Sequence, residues 1–290
     1  MPPLRHLALA ISAAALVIYA AGSAPERIVS LSPTTTEILY GIGAFPRVVG
    51  VSAYCSYPPE ASKVPHVGGS QTNNIESILS VHPDLVVLTA MQKPFISDRL
   101  RQFGLRSLAV PSGTLADVFT AIQEIGAVTG DLRQAMDLIG RMHASLDSIR
   151  DATKALAHPS VLLCVSRTPG TLNELYVATP GSYLLELIEI AGGRSAAAPT
   201  PIGYAKFSQE AILTSNPDII IDVTSHSNSK LGGDPKEAWK DLPELRAVRD
   251  NHVYSLNDPF VVHPSQFITH TAELFEQILH PELAAHAGTK

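Results

Sequence analysis

Histidine and carboxylate side chains are the first candidates for chemistry in this sequence. His66, His226, His263 and Asp258 carry donor atoms that a transition metal accepts, and all four fall in segments that read as loops. No two of them are spaced as in a compact metal-binding motif, and single loop histidines are more often surface or hydrogen-bonded residues than ligands. We therefore predict that the chain holds no resident metal ion.

A thiol near a histidine is the second candidate. Cys55 lies close to His66 in the sequence, as a nucleophile and its base would, but nothing nearby indicates a base or a lowered thiol pKa. The chain has no Gly-x-Ser-x-Gly elbow, Walker loop or metal-protease helix, and Gly41-Ile42-Gly43 is typical of a helix end. An enzyme is therefore not expected. Hydrolysis of a chromogenic ester that Cys55→Ala abolishes would revive that hypothesis.

Tyrosine and small polar residues form a third, larger group. They are concentrated in loop-like segments that follow short apolar runs, and these segments carry little charge. Such a composition suits a large, mostly uncharged ligand held by aromatic faces and scattered hydrogen bonds. The segments are residues 32–36, 54–57, 68–71, 89–92 and 111–114 in the first half, and 166–168, 176–182, 203–207, 224–227 and 257–263 in the second.

The elements that position these loops follow from the apolar periodicity. Short runs rich in Val, Ile and Leu alternate with helix-like stretches, which predicts βαβ units on both sides of a central helix. The central stretch has apolar residues at helical spacing and a cap at Thr129 or Asp131, so we predict one helix over residues 131–157. The predicted strands are residues 27–31, 48–51, 85–88, 107–110, 161–165, 219–222 and 253–256.

An internal repeat relates the two halves. Residues 76–87 resemble residues 210–221, and both read as a short helix, a Pro-Asp turn and a buried strand. The predicted fold class is therefore α/β, with two similar lobes of mostly parallel sheet joined by one long rigid helix. Because loops at the carboxyl ends of parallel strands contact ligands, a cleft between the lobes is expected. The predicted lobes span residues 25–130 and 158–280, and residues 281–290 form a frayed tail.

Charge and the start of the chain restrict its partners and location. The formal net charge is −6 and no Lys/Arg run exceeds two residues, so nucleic acid is not an expected partner. Residues 1–24 have a basic start, an apolar stretch and small residues near 22–24, as in a secretory signal peptide. The apolar stretch is shorter than the roughly 20 residues that span a bilayer. We expect an exported, periplasmic protein rather than a membrane-anchored one.

The two cysteines, Cys55 and Cys164, lie in different halves of the chain. We expect both to be free and buried or half-buried, with a disulfide as the alternative.

The single tryptophan, Trp239, is expected in the core or in a lid rather than against a ligand.

At several motifs the chain resembles the periplasmic substrate-binding proteins of cobalamin and ferric-siderophore ABC importers. The resemblance runs from Arg27 to about Leu279, and the Tyr-x-x-Tyr-Pro-Pro segment is most similar to the cobalamin-binding branch. It implies two lobes joined by one rigid helix, no cofactor, and a small-molecule ligand. The motifs are Arg27-Ile28-Val29-Ser30-Leu31-Ser32-Pro33 with Thr36-Glu37, Val49-Gly50-Val51, Tyr54-Cys55-Ser56-Tyr57-Pro58-Pro59, Asn74-Ile75-Glu76, Pro83-Asp84-Leu85-Val86 and Ala191-Gly192-Gly193.

The same resemblance implies a set of ligand-binding residues. Tyrosine, phenylalanine and aspartate match the branch at some positions, whereas pocket tryptophans of the branch are replaced here by Ser70 and Thr89. An arginine of the branch is replaced by Val262. The matching positions are Tyr54, Tyr176, Tyr204, Asp258 and Phe260.

The resemblance also implies a role for one glutamate on each lobe. Glu76 and Glu210 match the residues that pair with arginines of the two membrane subunits in the family. Both glutamates also follow predicted helix caps, Asn74 and Ser208, where the helix dipole alone favours a carboxylate. Their symmetric recurrence, one per lobe, favours the docking interpretation.

Taken with the loops, the resemblance predicts a monomer that captures a corrinoid and delivers it to an ABC importer, its permease subunits and its ATPase, without chemistry on the ligand. The alternatives left open are a ferric siderophore or haem, which Tyr54, Tyr176 and Tyr204 could equally contact, and a metal ion.

Overall fold

A computed structural model describes residues 23–69, 74–223 and 235–283 of the 290-residue chain. The first lobe is a four-stranded parallel sheet of order β2-β1-β3-β4 with its flanking helices. The central strands β1 and β3 are short, apolar and almost wholly buried, as expected of a parallel sheet covered on both faces, whereas the edge strand β4 is partly exposed. Its elements are β1 (Ile28–Ser30), α1 (Pro33–Gly41), β2 (Val48–Val51), α2 (Ile75–Ser80), β3 (Leu85–Thr89), α3 (Lys93–Gln102), β4 (Ser107–Val110) and α4 (Leu115–Thr129), with 3₁₀ turns at Phe45–Arg47, Pro59–Lys63 and Ala90–Gln92.

The long central helix is α5 (Leu132–Thr153), 22 residues or about 33 Å in length. Asp131 precedes it without a side-chain cap bond, because the carboxylate pairs with the Arg47 guanidinium of the first lobe. The helix ends earlier than the predicted residue 157. Thr153 lies at this end and its hydroxyl donates to the carbonyls of Ile149 (3.0 Å) and Ile190 (3.0 Å), which fixes α5 to the second lobe.

The second lobe is a six-stranded mixed sheet of order β10-β9-β5-β6-β8, with β7 on β5. β5, β9 and β10 are parallel, whereas β6 runs antiparallel to both β5 and β8. The predicted two-lobed α/β fold is confirmed, but the sequence did not indicate β6, β7 and β8. Its elements are β5 (Ser160–Ser166), β6 (Leu175–Ala178), α6 (Tyr183–Ile190), β7 (Arg194–Ser195), β8 (Tyr204–Phe207), α7 (Gln209–Ser215), β9 (Ile219–Asp222), α8 (Arg246–Arg249), β10 (Val253–Ser255) and α9 (Ile268–Leu279), with a 3₁₀ turn at Pro235–Asp241.

One apolar cluster extends through both lobes. It includes Ile28 of β1, Ile139 of α5, Leu187 of α6 and Phe275 of α9, all of them buried. Because α5 and α9 pack on each other and α9 also packs on α6, the last helix completes this shared core. Among the described residues, no helix is long and apolar enough to cross a bilayer.

Trp239 lies in a second cluster, within the second lobe. It is fully buried, and its indole Nε1 donates to the Asp222 carboxylate at 2.8 Å. The Arg167 guanidinium also donates to that carboxylate, at 2.9 Å, so the buried charge is compensated. Trp239 therefore has a core position. Cys55 and Cys164 are both free and buried, as predicted.

The turn between α6 and β7 requires glycine. Gly192 has a φ of +82°, and a Cβ at this position would lie 2.5 Å from Nε2 of His280 and 2.8 Å from Cβ of Thr153. The close approach allows α5, the α6–β7 turn and the residue that follows α9 to pack together.

Candidate ligand cavity between the lobes

An open cavity of about 950 Å³ lies between the two lobes. Its size is at the upper end of the roughly 300–1,000 Å³ typical of small-molecule sites. The lining is drawn mainly from loops at the carboxyl ends of strands, from the start of α4 and α6, and from the segment after β10. The described lining residues are Thr34, Thr89, Ala90, Met91, Pro111, Ser112, Gly113, Thr114, Asp117, Val165, Gly181, Tyr183, Leu184, Pro201, Ile202, Tyr204, Val262 and Pro264.

Two capped turns shape the wall that belongs to the first lobe. After β3, Gln92 folds back on Thr89: its Oε1 accepts from the Thr89 amide at 3.0 Å, and its Nε2 donates to the Leu31 carbonyl at 2.7 Å. After β4, Thr114 caps α4, and Asp117 Oδ2 accepts from the amides of Gly113 (3.0 Å) and Thr114 (2.9 Å). These bonds hold the loops open toward the second lobe.

Two tyrosines form much of the opposite wall. Tyr183 is buried and donates its hydroxyl to the Val261 carbonyl at 3.2 Å. Tyr204 begins β8, where Thr200 Oγ1 donates to its carbonyl at 3.1 Å. Burial raises the pKa of Tyr204 to about 12, so its hydroxyl is a neutral hydrogen-bond donor at physiological pH.

The base of the cavity joins the lobes directly. The Tyr183 amide donates to the Gly113 carbonyl at 2.9 Å, and the Leu115 amide donates to Glu186 Oε2 at 3.3 Å. Burial raises the pKa of Glu186, and the nearby acidic groups Glu189 and Asp117 raise it further. These bonds supplement α5 as connections between the lobes.

A second connection lies behind the cavity, at Glu37 of α1. The Glu37 side chain is buried and accepts from Nδ1 of His263 at 2.7 Å and from Oγ of Ser265 at 2.6 Å. Gln266 Nε2 also donates to the Glu37 carbonyl at 2.8 Å. His263, considered above as a metal ligand, is therefore engaged in an interlobe hydrogen bond. Among the described residues, no group of three or more His, Cys, Asp or Glu is arranged to hold a metal ion.

The structure brings two of the sequence-predicted ligand residues together at this cavity. Thr89 and Tyr204 line it from opposite lobes. Tyr54 and Tyr176 are both exposed and lie outside the lining. Ser70 falls outside the described residues, as does His226.

Asp258 and Phe260 have partners within the protein, and their predicted contact with a ligand stays a prediction. Asp258 Oδ1 accepts from the Phe260 amide at 2.9 Å and its Oδ2 lies 2.8 Å from Nε2 of His270, so the carboxylate caps a turn. The Phe260 ring stacks on Phe267 at 4.0 Å and contacts the edge of Tyr57 at 5.4 Å. Neither side chain is among the described lining residues of this cavity, and the contacts of both help to fix the segment that follows β10.

Ile202 lies outside the loop segments expected from the sequence, whereas Met91 lies within one of them, residues 89–92, without having been singled out. Both are large apolar side chains that remain about three-quarters exposed, at 78% and 77%. Ile202 lies between Pro201 and Gly203, and an apolar residue in such a turn is a signal that could have been used. Tyr183 was missed because the expected loop ended at residue 182, just before α6.

The two glutamates proposed for docking lie where the sequence placed them. Glu76 and Glu210 are exposed in the first turns of α2 and α7. The Asn74 side chain caps α2 by accepting from the Glu76 amide at 3.0 Å. The Ser208 side chain caps α7 by accepting from the Ala211 amide at 3.2 Å. A hydrogen bond with the Ser208 side chain lowers the pKa of Glu210.

Comparisons with known proteins agree with this architecture. The family model for the periplasmic binding protein matches residues 28–259. An uncharacterized ABC transporter substrate-binding lipoprotein of Bacillus subtilis strain 168 is 28% identical over 89% of this chain and 81% of its own length. The periplasmic vitamin B12 binding protein of Vibrio cholerae superposes with a TM-score of 0.74 at 25% identity, over 89% of this chain and 98% of its own. A periplasmic haem binding protein of Vibrio cholerae superposes with a TM-score of 0.76 at 21% identity, over 88% and 99%.

The family match covers most of the chain, and the relatives are substrate-binding proteins of ABC importers rather than enzymes. Proteins of this family carry no cofactor, and they work with a permease, an ATPase and a transported small molecule. The chain belongs to the periplasmic binding protein family, as the solute-binding component of an ABC importer.

Proposed function

We propose that the chain captures a corrinoid in the interlobe cavity and delivers it to its importer. The observation that carries this proposal is the cavity itself, which is large, open and lined mostly by aromatic, aliphatic and small polar side chains. Such a lining suits a broad ligand with apolar faces and a hydrogen-bonding rim. The similarity to a vitamin B12 binding protein supports the same ligand class.

Haem is the second candidate, and a specific observation favours it. Met91 and Tyr204 line the cavity from opposite lobes, and both side-chain types serve as axial ligands of haem iron. The similarity in fold to a haem binding protein is consistent with this alternative. A ferric siderophore is the remaining candidate from the sequence.

Calorimetric titration of the purified protein with cyanocobalamin, cobinamide, haem and a ferric hydroxamate tests the ligand. We expect one-to-one binding of a corrinoid, weakened at least about tenfold by Tyr204→Ala, because an aromatic contact and a donor are both lost. Tyr54→Ala and Tyr176→Ala test the exposed tyrosines in the same way. Binding of haem alone, or of the hydroxamate alone, would replace the corrinoid while keeping the transport role.

Delivery is proposed to use Glu76 and Glu210, one on each lobe, as ion-pair partners of importer arginines. Their exposure and their matching positions in the internal repeat support this role. Charge reversal of both, Glu76→Lys with Glu210→Lys, is expected to abolish importer binding and leave ligand affinity unchanged. The matched control reverses Glu60, an exposed glutamate of the first lobe. Intact importer binding by the double variant would rule out this role.

The mature protein is proposed to be a periplasmic monomer, released by cleavage of a signal peptide near residues 22–24. Its lobes are assigned to residues 25–130 and 158–280, with residues 131–157 between them and residues 281–290 as a tail. Mass spectrometry of the exported protein and sedimentation in solution test the cleavage site and the monomeric state.

A further inference from the structure

The charge on the described cavity wall is negative only. Among the described lining residues there is no lysine, arginine or histidine, and Asp117 is the one charged side chain. Further negative groups lie close behind the wall: Glu186 contacts the α4 start, and Glu37 lies behind Val262 and Pro264 through its bond to His263. A ligand carboxylate would therefore lose water without gaining a cationic partner among the described lining residues.

Two polar side chains of the described lining suit an amide better than a carboxylate. Asp117 uses Oδ2 for its two backbone bonds, and no described residue donates to its Oδ1, which leaves that oxygen to accept from an amide N–H. On the opposite wall the Tyr204 hydroxyl is a donor without a described acceptor, and it can reach an amide carbonyl. Primary amides need both an acceptor and a donor, whereas a carboxylate needs donors only.

Apolar groups complete the arrangement. Met91 and Ile202 project from opposite lobes at the same cavity and remain largely exposed. Such exposure of large apolar side chains at a cavity is typical of a ligand contact surface. The two side chains can contact the faces of a broad ligand while the polar groups contact its rim.

We propose that the cavity selects uncharged, amide-bearing ligands over carboxylate-bearing analogues, with Asp117 as the specificity-determining residue and Met91 and Ile202 as the apolar contacts. This inference rests on the proposed use of the cavity as the ligand site. It adds a criterion, the charge of the ligand rim, that neither the size of the cavity nor the fold provides.

The test compares two corrinoids that share the ring. Dicyanocobinamide carries amides where cobyrinic acid carries carboxylates, and we expect the acid to bind at least about 100-fold more weakly at neutral pH, because its charges are left uncompensated.

Three variants test the ratio of the affinities for the amide and the acid. Ser112→Lys places a cation in the lining and is expected to reduce this ratio at least about tenfold. Gln102→Lys adds the same charge on the exposed end of α3 and is the matched control, with an unchanged ratio. Asp117→Asn keeps an acceptor for the α4 cap but removes the charge, so it is also expected to reduce the ratio.

Equal affinity for the two corrinoids would overturn the charge selection while leaving corrinoid binding intact. Failure of both to bind would instead overturn the corrinoid proposal. In that case the same comparison is made with haem and its dimethyl ester. Preference for the ester would support the charge selection, and preference for the dicarboxylate would overturn it.

Discussion

Glu37 is the clearest case of a residue whose environment explains its type. The side chain is 2% exposed, and an isolated buried carboxylate would be strongly unfavourable. The hydroxyl of Ser265 and the imidazole of His263 satisfy its two oxygens, across more than 220 residues of sequence separation. The carboxylate thereby connects α1 of the first lobe to the segment after β10.

Glu37→Gln is expected to lower the free energy of unfolding by about 1–3 kcal/mol, because one oxygen is replaced by an NH₂ group that cannot accept from Ser265 or His263. Glu60→Gln, on an exposed glutamate of the same lobe, is the control and should have no measurable effect. Urea unfolding of the two variants gives the difference. Equal stability would show that Glu37 does not hold the lobes together.

Gly192→Ala separates a steric effect from backbone strain. The added methyl group would meet His280 and Thr153 at 2.5 and 2.8 Å, and the left-handed φ adds strain of about 1 kcal/mol. Gly170→Ala is a matched control, since Gly170 has a similar φ of +75° but no neighbour within 4 Å. We expect Gly192→Ala to destabilise the protein by at least about 1 kcal/mol more than Gly170→Ala, measured as a shift of the thermal midpoint.

Among the elements, the repeated Pro-Asp turns have a common structural role. The Asp84 side chain accepts from the Arg27 amide at 3.1 Å, and the Asp84 amide donates to the Arg27 carbonyl at 2.9 Å. This pair of bonds fixes the start of β1 beside β3. In the second lobe the Asp218 side chain accepts from the Ser160 amide at 2.8 Å, and the Asp218 amide donates to the Ser160 carbonyl at 3.0 Å. These bonds fix β5 beside β9. In both lobes the residue before the proline has a left-handed φ. Strand alignment therefore explains the Pro-Asp part of the repeat, whereas the glutamates at its start take no part in these bonds.

The Asp218 turn is expected to make stability depend on pH. Burial opposes ionisation of Asp218, but bonds from Ser160 and the contact with Arg246 outweigh it and lower its pKa from 3.8 to about 2. A lowered pKa stabilises the folded state above about pH 4, and this contribution is lost as the pH falls toward 2.

Asp218→Asn should therefore cost about 1–2 kcal/mol at pH 7, after allowing for partial solvent screening, and progressively less below pH 4. Asp98→Asn removes an exposed aspartate of a surface ion pair and is the control. Unfolding curves between pH 2 and 7 test the prediction, and a constant difference across this range would contradict it.

Elements with a strong local signal were predictable, and those defined by distant partners were not. The helix caps Asn74 and Ser208 and the buried runs of β3 and β9 were identified from local chemistry alone. β6 and β8 are short, and each includes an exposed residue that interrupts an apolar run. Their strand conformation comes from antiparallel pairing of β6 with β5 and of β8 with β6, which no local pattern specifies.

The candidate site was predictable in the same uneven way. Thr89 and Tyr204 line the cavity because their segments follow sheet strands or lie beside them, and their contact with a ligand stays a prediction. Asp258 and Phe260 were matched by residue type, but the sequence could not reveal that His270 and Phe267 engage their side chains. Met91 was included only as part of segment 89–92, and Ile202 fell just outside segment 203–207, because the sequence does not show which apolar loop side chains stay exposed at the cavity.

At the scale of the whole molecule, the shared core predicts cooperative unfolding. The apolar cluster runs from β1 through α5 to α9, so neither lobe has all of its core to itself. We expect a single transition in which Trp239 fluorescence, which reports the second lobe, coincides with the loss of helix signal from the entire chain. Separate midpoints for the two probes would show that the lobes unfold independently.

The hydrogen bonds that join the lobes at the base of the cavity and behind it have a consequence for the speed of capture. Because Tyr183 meets Gly113 and Glu37 meets Ser265, the cleft is formed without waiting for a large rearrangement. Stopped-flow mixing should then give one exponential phase whose rate rises linearly with ligand concentration, with a rate constant of about 10⁵–10⁷ M⁻¹s⁻¹. Affinity differences among ligands would arise from how long each one stays, so the residence time sets how often a loaded carrier reaches its importer.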